Sequence, residues 1–254
     1  MHFDIDIAWL LAVGLISIRL GVLFFATPFD AMGRLPTKIR VFATLLLSVF
    51  FVSVSPPLSL VVPASAVELV AMGLQELLVG LVMAFGFYCV FGSIMVAGKL
   101  MDFQAGFGAA QILNPATNAA NPLYGTVLSL FAVAIFYASN AYQLALRGIA
   151  WSIAVSPPGT GLAVLPIGSI VRQFGLTYIY GITLAAPIVG VLLLLDTGVA
   201  VMGRTMPQMN VYFLFLPLKI GVAFVLVIIA LRYISPVLER MFVHLFQYWQ
   251  QALS

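Results

Sequence analysis

Residues 67–97, VELVAMGLQELLVGLVMAFGFYCVFGSIMVA, decide the fold because they form the longest apolar run of the chain. A helix rises about 1.5 Å per residue, so a helix over this run is long enough to cross about 30 Å of hydrocarbon. Only helices and closed barrels satisfy their backbone groups in lipid, and the run lacks the two-residue alternation of barrel strands. We therefore predict a membrane-spanning helix here.

The rest of the chain has the same apolar character. Hydrophobic residues make up 63% of the sequence and charged residues 7%, whereas soluble domains carry about 25% charged residues. Further apolar runs, each long enough or nearly long enough to cross a bilayer, are Ile7–Thr27, Ile39–Ser55, Leu123–Leu146, Phe174–Met202 and Val211–Leu231. The predicted fold is an all-α, polytopic helical membrane protein with about six long apolar helices in contact with membrane lipid.

No linker divides the chain, so residues 1–254 are predicted to form a single integral membrane domain. Its parts are the first helices at 1–97, a loop at 98–122, the later helices at 123–231, and an amphipathic C-terminal helix at 232–254. Ser235 and Pro236 have the residue types of an N-cap and a first helical position. The apolar face of this helix could dock on a partner, on the membrane interface or on its own bundle.

Basic residues in short loops set the orientation of membrane helices. Six simple crossings place Arg34, Lys38, Arg40, Lys99 and Arg204 on one side, and Arg147, Arg172, Arg232 and Arg240 on the other. This distribution is almost unbiased. Either the number of crossings differs from six, or the final position of the chain is not an ordinary bilayer.

Four charged residues fall in the interior of the apolar runs, away from the run ends: Arg19, Glu76, Asp196 and Lys219. A charge at the centre of a bilayer costs about 2.5–3.5 kcal/mol on insertion scales, so such residues usually face a partner or a water-filled path. One interpretation is a proton or ion relay. The other, which the mixed signs and isolated positions favour, is buried charge pairing between packed helices or between subunits during assembly.

Small residues recur in the same runs. Gly80 and Ala84 are four apart, as are Gly181 and Ala185, and Gly86, Gly92 and Gly98 recur at intervals of six. Such spacing favours close approach of helix backbones in lipid.

Several function classes are disfavoured by the sequence. It contains no HExxH, GxSxG or GxxxxGK[ST] motif, and neither histidine has a second ligand at metal spacing. We therefore predict no catalytic residues, no metal site and no cofactor. The basic residues form no patch or stripe, which argues against nucleic-acid binding.

Two segments carry a family resemblance. Residues 196–220, DTGVAVMGRTMPQMNVYFLFLPLKI, and residues 97–115, AGKLMDFQAGFGAAQILNP, resemble the FliR family of flagellar export-gate proteins. That family includes the T-type component of virulence type III secretion systems. The resemblance extends over nearly the whole chain and includes Arg19, Pro28, Arg34, Pro36, Arg40 and the Glu76–Gly80 segment.

The resemblance implies a core subunit of the flagellar type III protein export gate, located in the bacterial inner membrane at the flagellar basal body. P-type and Q-type membrane proteins (FliP-like and FliQ-like) are the implied partners, together with a FlhB-like substrate-switch protein and a FlhA-like export platform. The subunits are implied to be kinked hairpins in a helical assembly, whose bore conducts unfolded protein substrates.

The resemblance also implies a role for the uncharged loop that follows Asp102. In the family, the matching loop projects into the bore and helps to close it. The predicted plug loop, at 106–122, combines conformational freedom with neutral hydrogen bonding and apolar filling. Its candidate residues are Gly106, Phe107, Gly108, Ile112, Leu113, Asn114, Pro115, Asn118 and Asn121.

Two alternatives stay open at this point. A virulence type III secretion subunit of the same family has the same physical features. An ion-coupled small-molecule transporter would use Arg19, Glu76, Asp196 and Lys219, although the breaks in the helices do not match between the two halves of the chain.

Overall fold

A computed structural model describes residues 7–26, 36–54, 62–107, 122–160, 166–205 and 211–253, without the side chains of residues 211–214. All regular structure in these ranges is helical. The helices are α1 (Ile7–Ala26), α2 (Thr37–Val54), α3 (Ala66–Ala105), α4 (Leu123–Ala138), α5 (Ala141–Val155), α6 (Ile167–Thr205) and α7 (Val211–Leu253).

The predicted helical membrane fold is confirmed. Within the described ranges, five helices are long and apolar enough to cross a membrane, or six if the bent pair α4 and α5 counts as one span. The longest helices are α3 with 40 residues, α6 with 39 and α7 with 43. Each exceeds the roughly 20 residues that a bilayer requires.

The apolar run Leu123–Leu146 was predicted to be one helix, and the structure divides it. Helix α4 ends at Ala138 and α5 begins at Ala141, and the two form a bent pair rather than one straight helix. Asn140 lies at the bend with a φ of 57°, in the left-handed region that L-residues seldom adopt. The short polar side chain of asparagine tolerates this conformation better than most, which explains why the helix direction changes here.

The C-terminal helix does not begin at the residue that the sequence predicts. No helix begins at Ser235, because α7 runs without a break from Val211 to Leu253 and contains both Pro217 and Pro236. A proline inside a helix removes one backbone hydrogen bond. Burial of the turn around Pro236 offsets that loss, since Ile234 and Leu238 are each 1% exposed.

The predicted loop start at 98 is also too early, because α3 extends to Ala105.

The described residues divide into two compact units. The first unit, called unit 1, lies within residues 1–90, 140–174 and 242–254, and the second, called unit 2, within residues 91–139 and 175–241. The long helices α3, α6 and α7 therefore contribute residues to both units.

In unit 1, the end of α7 packs on α3 of its own chain. The Trp249 indole Nε1–H donates to the Met83 carbonyl over 3.0 Å, and the Tyr248 hydroxyl donates to the Val82 carbonyl over 3.1 Å. The Trp249 ring also lies edge-on to Phe87, with 5.7 Å between centroids. The amphipathic C-terminal segment therefore docks on the helices of its own chain, which is one of the three docking sites predicted for it.

Close helix contacts occur at the predicted small residues. A Cβ atom built on Gly80 would lie 2.8 Å from the Arg19 carbonyl oxygen, within unit 1. One built on Gly181 would lie 3.1 Å from the Ser93 carbonyl oxygen, within unit 2. Both distances are shorter than ordinary van der Waals contact, so these positions allow the backbones to approach.

Candidate functional site

The structure describes both ends of the predicted plug loop. Gly106 and Phe107 lie at the end of α3, and Pro122 precedes α4. The other candidate residues lie outside the described residues: Gly108, Ile112, Leu113, Asn114, Pro115, Asn118 and Asn121. We call the described ends, residues 98–107 and 122–125, the loop stem.

Gly106 ends α3 with a backbone that favours glycine. Its φ is 96°, and its N–H donates to the Phe103 carbonyl over 3.2 Å. A glycine with positive φ is the usual residue just past a helix C-terminus, because it has no Cβ to clash there. The chain therefore leaves the direction of α3 at this position.

An aromatic cluster covers the loop stem. The Phe107 ring lies edge-on to Tyr124 with 5.9 Å between centroids, and to Phe224 of α7 with 6.4 Å. Tyr124 and Phe224 are 5.5 Å apart. Edge-to-face aromatic pairs at these distances stabilise a contact beyond their burial alone. The two ends of the loop are thereby packed together against α7.

Asp102 connects the same two ends by a hydrogen bond. It is buried in α3, and its carboxylate accepts the backbone N–H of Tyr124 over 3.2 Å. Tyr124 lies in the first turn of α4, whose N-cap residue, Pro122, offers no side-chain cap. In the same unit, a Cβ atom on Gly98 would overlap the backbone of Gly125. The Asp102 side chain, the close backbones of Gly98 and Gly125 and the start of α4 therefore lie within one small region of unit 2.

A second polar cluster in unit 2 joins α3, α6 and α7. The Lys219 ammonium lies 2.7 Å from Asp196 Oδ1 and 2.8 Å from Oδ2. The Gln104 amide also donates to Asp196 Oδ2, over 2.7 Å. The Lys219 side chain is 11% exposed, whereas that of Asp196 is 37% exposed on this chain. The Asp196 side chain is therefore partly exposed on this chain, whereas the Lys219 side chain that pairs with it is largely buried.

The third polar cluster is in unit 1 and is fully enclosed. Arg19 and Glu76 are 1% and 0% exposed. The guanidinium binds the carboxylate through two hydrogen bonds, Nε to Oε2 at 2.7 Å and Nη2 to Oε1 at 3.0 Å. Such a two-point arginine–carboxylate contact is charge-assisted and fixes both side chains.

The remaining Arg19 donors bind the end of α5. They contact the Ser152 carbonyl at 3.1 Å, the Ser152 hydroxyl at 3.3 Å and the Ser156 carbonyl at 2.9 Å. All five N–H donors of a guanidinium thereby have acceptors. The Ser152 carbonyl also accepts the Ser156 N–H over 2.9 Å, so the cation adds a donor at a helix C-terminus, where the helix dipole favours positive charge. Arg19 therefore links α1, α3 and α5.

Glu76 also holds the turn that follows α5. The Gly159 N–H donates to Glu76 Oε1 over 3.0 Å. Gly159 has a φ of 84°, and a Cβ atom there would overlap the Met72 side chain. The backbone conformation therefore favours glycine at this turn, whereas the Met72 methyl group could shift to admit a side chain.

The structure brings the four predicted charges together as two pairs within this chain, Arg19 with Glu76 and Lys219 with Asp196. Sequence reasoning missed Gln104, the Ser152 and Ser156 carbonyls, and above all Asp102 as a stem residue. Asp102 gave one usable signal, since it is the last charged residue before a long uncharged segment.

Comparison with known proteins gives a consistent result. The family model described as bacterial export proteins, family 1, matches residues 10–245. The flagellar biosynthetic protein FliR of Bacillus subtilis is 31% identical over 90% of this chain and 89% of its own length. FliR of Escherichia coli is 21% identical over 93% and 90%.

A relative from a virulence system matches a shorter region. The Yop proteins translocation protein T of Yersinia pestis is 26% identical over 61% of this chain and 60% of its own length. The family model spans all the described polar clusters, from Arg19 to Lys219. The chain therefore belongs to the bacterial export proteins, family 1, the family to which its similarity to FliR pointed.

Proposed function

We propose that this chain is a core subunit of the flagellar type III protein export gate, in the inner membrane at the flagellar basal body. With P-type and Q-type membrane proteins it would line a bore for unfolded export substrates. The observation that carries this proposal is the family match over residues 10–245, supported by similarity to the B. subtilis FliR over 90% of the chain.

The exposed surface of the chain is compatible with an assembly. Many large apolar side chains of α6 and α7 are exposed on this chain, among them Leu194 at 72% and Ile228 at 67%. Membrane lipid or neighbouring subunits would cover such surfaces. A FlhB-like substrate-switch protein and a FlhA-like export platform are the further partners that we propose.

A flagellar rather than a virulence role is favoured by the extent of the similarity. The B. subtilis FliR aligns over 90% of this chain, whereas the Y. pestis protein T aligns over 61%. A virulence export-gate subunit of the same family is the second candidate.

Within the gate, we propose that residues 106–122 help to close the bore. A seal that yields to a passing chain needs conformational freedom and no fixed charge, and this segment has both. Ile112 and Leu113 would fill the bore by steric and apolar contact, whereas Phe107, also predicted to fill it, packs against Tyr124 and Phe224 at the base of the loop. The closely packed loop stem would give such a seal a fixed base.

Replacement of residues 108–121 by a short Gly-Ser linker tests this role. It keeps Gly106, Phe107 and the stem, so we expect normal amounts of assembled complex but leakage of small ions and solutes into cells. The measurement pairs the yield of the co-purified complex with the uptake rate of a small impermeant dye.

A subtler variant tests the apolar filling. Ile112→Ser with Leu113→Ser is expected to leak as well, whereas Thr117→Ser, which keeps polarity and size, should stay sealed. Unchanged permeability of an assembled linker complex refutes the sealing role.

For Asp196 and Lys219 we propose a role in assembly. Replacing either residue by alanine leaves a charge without its partner, at a cost of about 1–3 kcal/mol for the enclosed Lys219 and less for the more exposed Asp196. The yield of assembled complex should fall in both variants and recover in part when both are replaced.

The competing function is an ion-coupled small-molecule transporter that uses Arg19, Glu76, Asp196 and Lys219. Pairing of these charges within the chain offers such a transporter no free charge at either pair. Normal yield of the Asp196→Ala complex combined with lost export would favour a proton relay over the assembly role.

A further inference from the structure

Asp102 has no role in the function proposed so far, although a buried carboxylate is costly. It is 4% exposed, and neither the Arg19–Glu76 pair nor the Lys219–Asp196 pair includes it. An ionised carboxylate in a dry environment requires hydrogen-bond donors or a cation. Its location therefore needs a physical explanation.

The donors are at the start of another helix. The carboxylate accepts the N–H of Tyr124 over 3.2 Å, and the Leu123 N–H also hydrogen-bonds to it. Both N–H groups belong to the first turn of α4, where a helix leaves its donors unpaired and where the helix dipole favours an anion. Pro122, the local N-cap residue, has no side chain that could serve.

This cap differs from an ordinary one because it comes from a different helix. A serine or aspartate at the N-cap would satisfy the same donors without fixing α4 to anything else. Asp102 lies on α3, so its hydrogen bond holds the end of α3 against the start of α4. Residues 108–121 lie between these two points in the sequence.

Two other contacts converge on the same place. The backbones of Gly98 and Gly125 approach so closely that neither helix can shift toward the other. Tyr124 is 1% exposed, and its ring packs against Phe107 and Phe224. Sliding or rotation of α4 would break the Asp102 contact first, because it is the directional one.

We propose that Asp102 is a positioning residue, which fixes the start of α4 against α3 and so sets where the sealing loop begins and ends. This inference rests on the proposed sealing function of residues 106–122. Without Asp102 the complex would still assemble through its apolar surfaces, but the start of α4 would hold its position against α3 for a smaller fraction of the time.

The test compares four variants in the same cells, with complex yield and dye uptake measured in parallel. Asp102→Ala removes the acceptor and is expected to raise uptake about 5- to 30-fold at unchanged yield, as expected for loss of one charged cap. Asp102→Asn keeps one acceptor oxygen and should leak less. Tyr124→Phe is the matched control, because the Tyr124 hydroxyl has no hydrogen-bond partner among the described residues.

The fourth variant separates positioning from helix capping. Asp102→Ala with Pro122→Ser supplies α4 with a cap of its own but leaves it unconnected to α3. Continued leakage supports the positioning role. Restored sealing overturns it, since capping alone would then suffice.

Two further outcomes decide the remaining cases. If Asp102→Ala assembles and stays sealed while the 108–121 linker complex leaks, the loop is a seal but Asp102 does not position it. If the Asp102→Ala chain fails to assemble, the dye uptake of cells with the Asp102→Asn complex is compared with that of cells with the Tyr124→Phe control. Equal uptake in these two cases overturns the proposal. A sealed linker complex refutes the sealing function itself, and this role of Asp102 with it.

Discussion

Replacing Arg19 by methionine is expected to lower the free energy of unfolding by about 3–5 kcal/mol, the range typical of breaking a buried ion pair. Glu76 would remain 0% exposed with no cation beside it. The Ser152 and Ser156 carbonyls would also lose donors at the end of α5. Methionine keeps the apolar stem of the arginine, so lost packing contributes little.

The measurement is the thermal stability of the detergent-extracted chain, followed by the loss of its monodisperse peak after heating. Arg147→Met is the control, because Arg147 is an exposed arginine on α5. Replacing both Arg19 and Glu76 by methionine should recover part of the loss, since no unpaired charge remains. A single Arg19→Met variant as stable as the control contradicts the structural role of the pair.

A single added methyl group at Gly98 is expected to have an effect of similar size. Its Cβ would overlap the Gly125 backbone, which cannot rotate away as a side chain can. Overpacking costs about 1–3 kcal/mol where side chains adjust, and more where they cannot. The Gly98→Ala chain should therefore be poorly folded and assemble in low yield.

The glycines at intervals of six on α3 provide matched controls. At Gly92 the added methyl would meet only the Thr177 methyl group at 3.5 Å, an ordinary contact. Gly92→Ala should retain full stability or gain up to about 1 kcal/mol from helix propensity. At Gly86 the methyl would meet the end of the Leu245 side chain, which can shift, and the edge of the Tyr248 ring, which its hydrogen bond to Val82 holds, so an intermediate loss is expected. Equal stability of the three variants contradicts this packing.

The helical membrane fold could be predicted because apolar run length is a local property. Residues 67–97 need no partner to reveal a spanning helix, and α3 contains all of them. Breaks in the helices were harder to locate. Asn140 breaks a helix within an apolar run because it adopts a left-handed backbone conformation, whereas Pro236 does not end one because the turn around it is buried.

The charged residues of the site could be predicted from the sequence, but the residues that each of them contacts could not. The cost of charges in lipid singled out Arg19, Glu76, Asp196 and Lys219, yet which residue pairs with which depends on the packing of distant helices. Asp102 was missed as a stem residue because its partners are backbone N–H groups, which carry no sequence signal. A sequence pattern reflects the properties of side chains, whereas this contact depends on where the first turn of α4 lies.

The sealing of the bore by residues 106–122 is the central claim, and conductance of the purified complex tests it most directly. The tagged chain would be purified with its membrane partners, and the complex with the native loop and that with the 108–121 linker would each be reconstituted in planar bilayers. A closed complex is expected with the native loop, and a steady ionic conductance is expected with the linker. Equal conductance of the two complexes, or a chain that purifies alone as an active small-molecule transporter, would contradict the central claim.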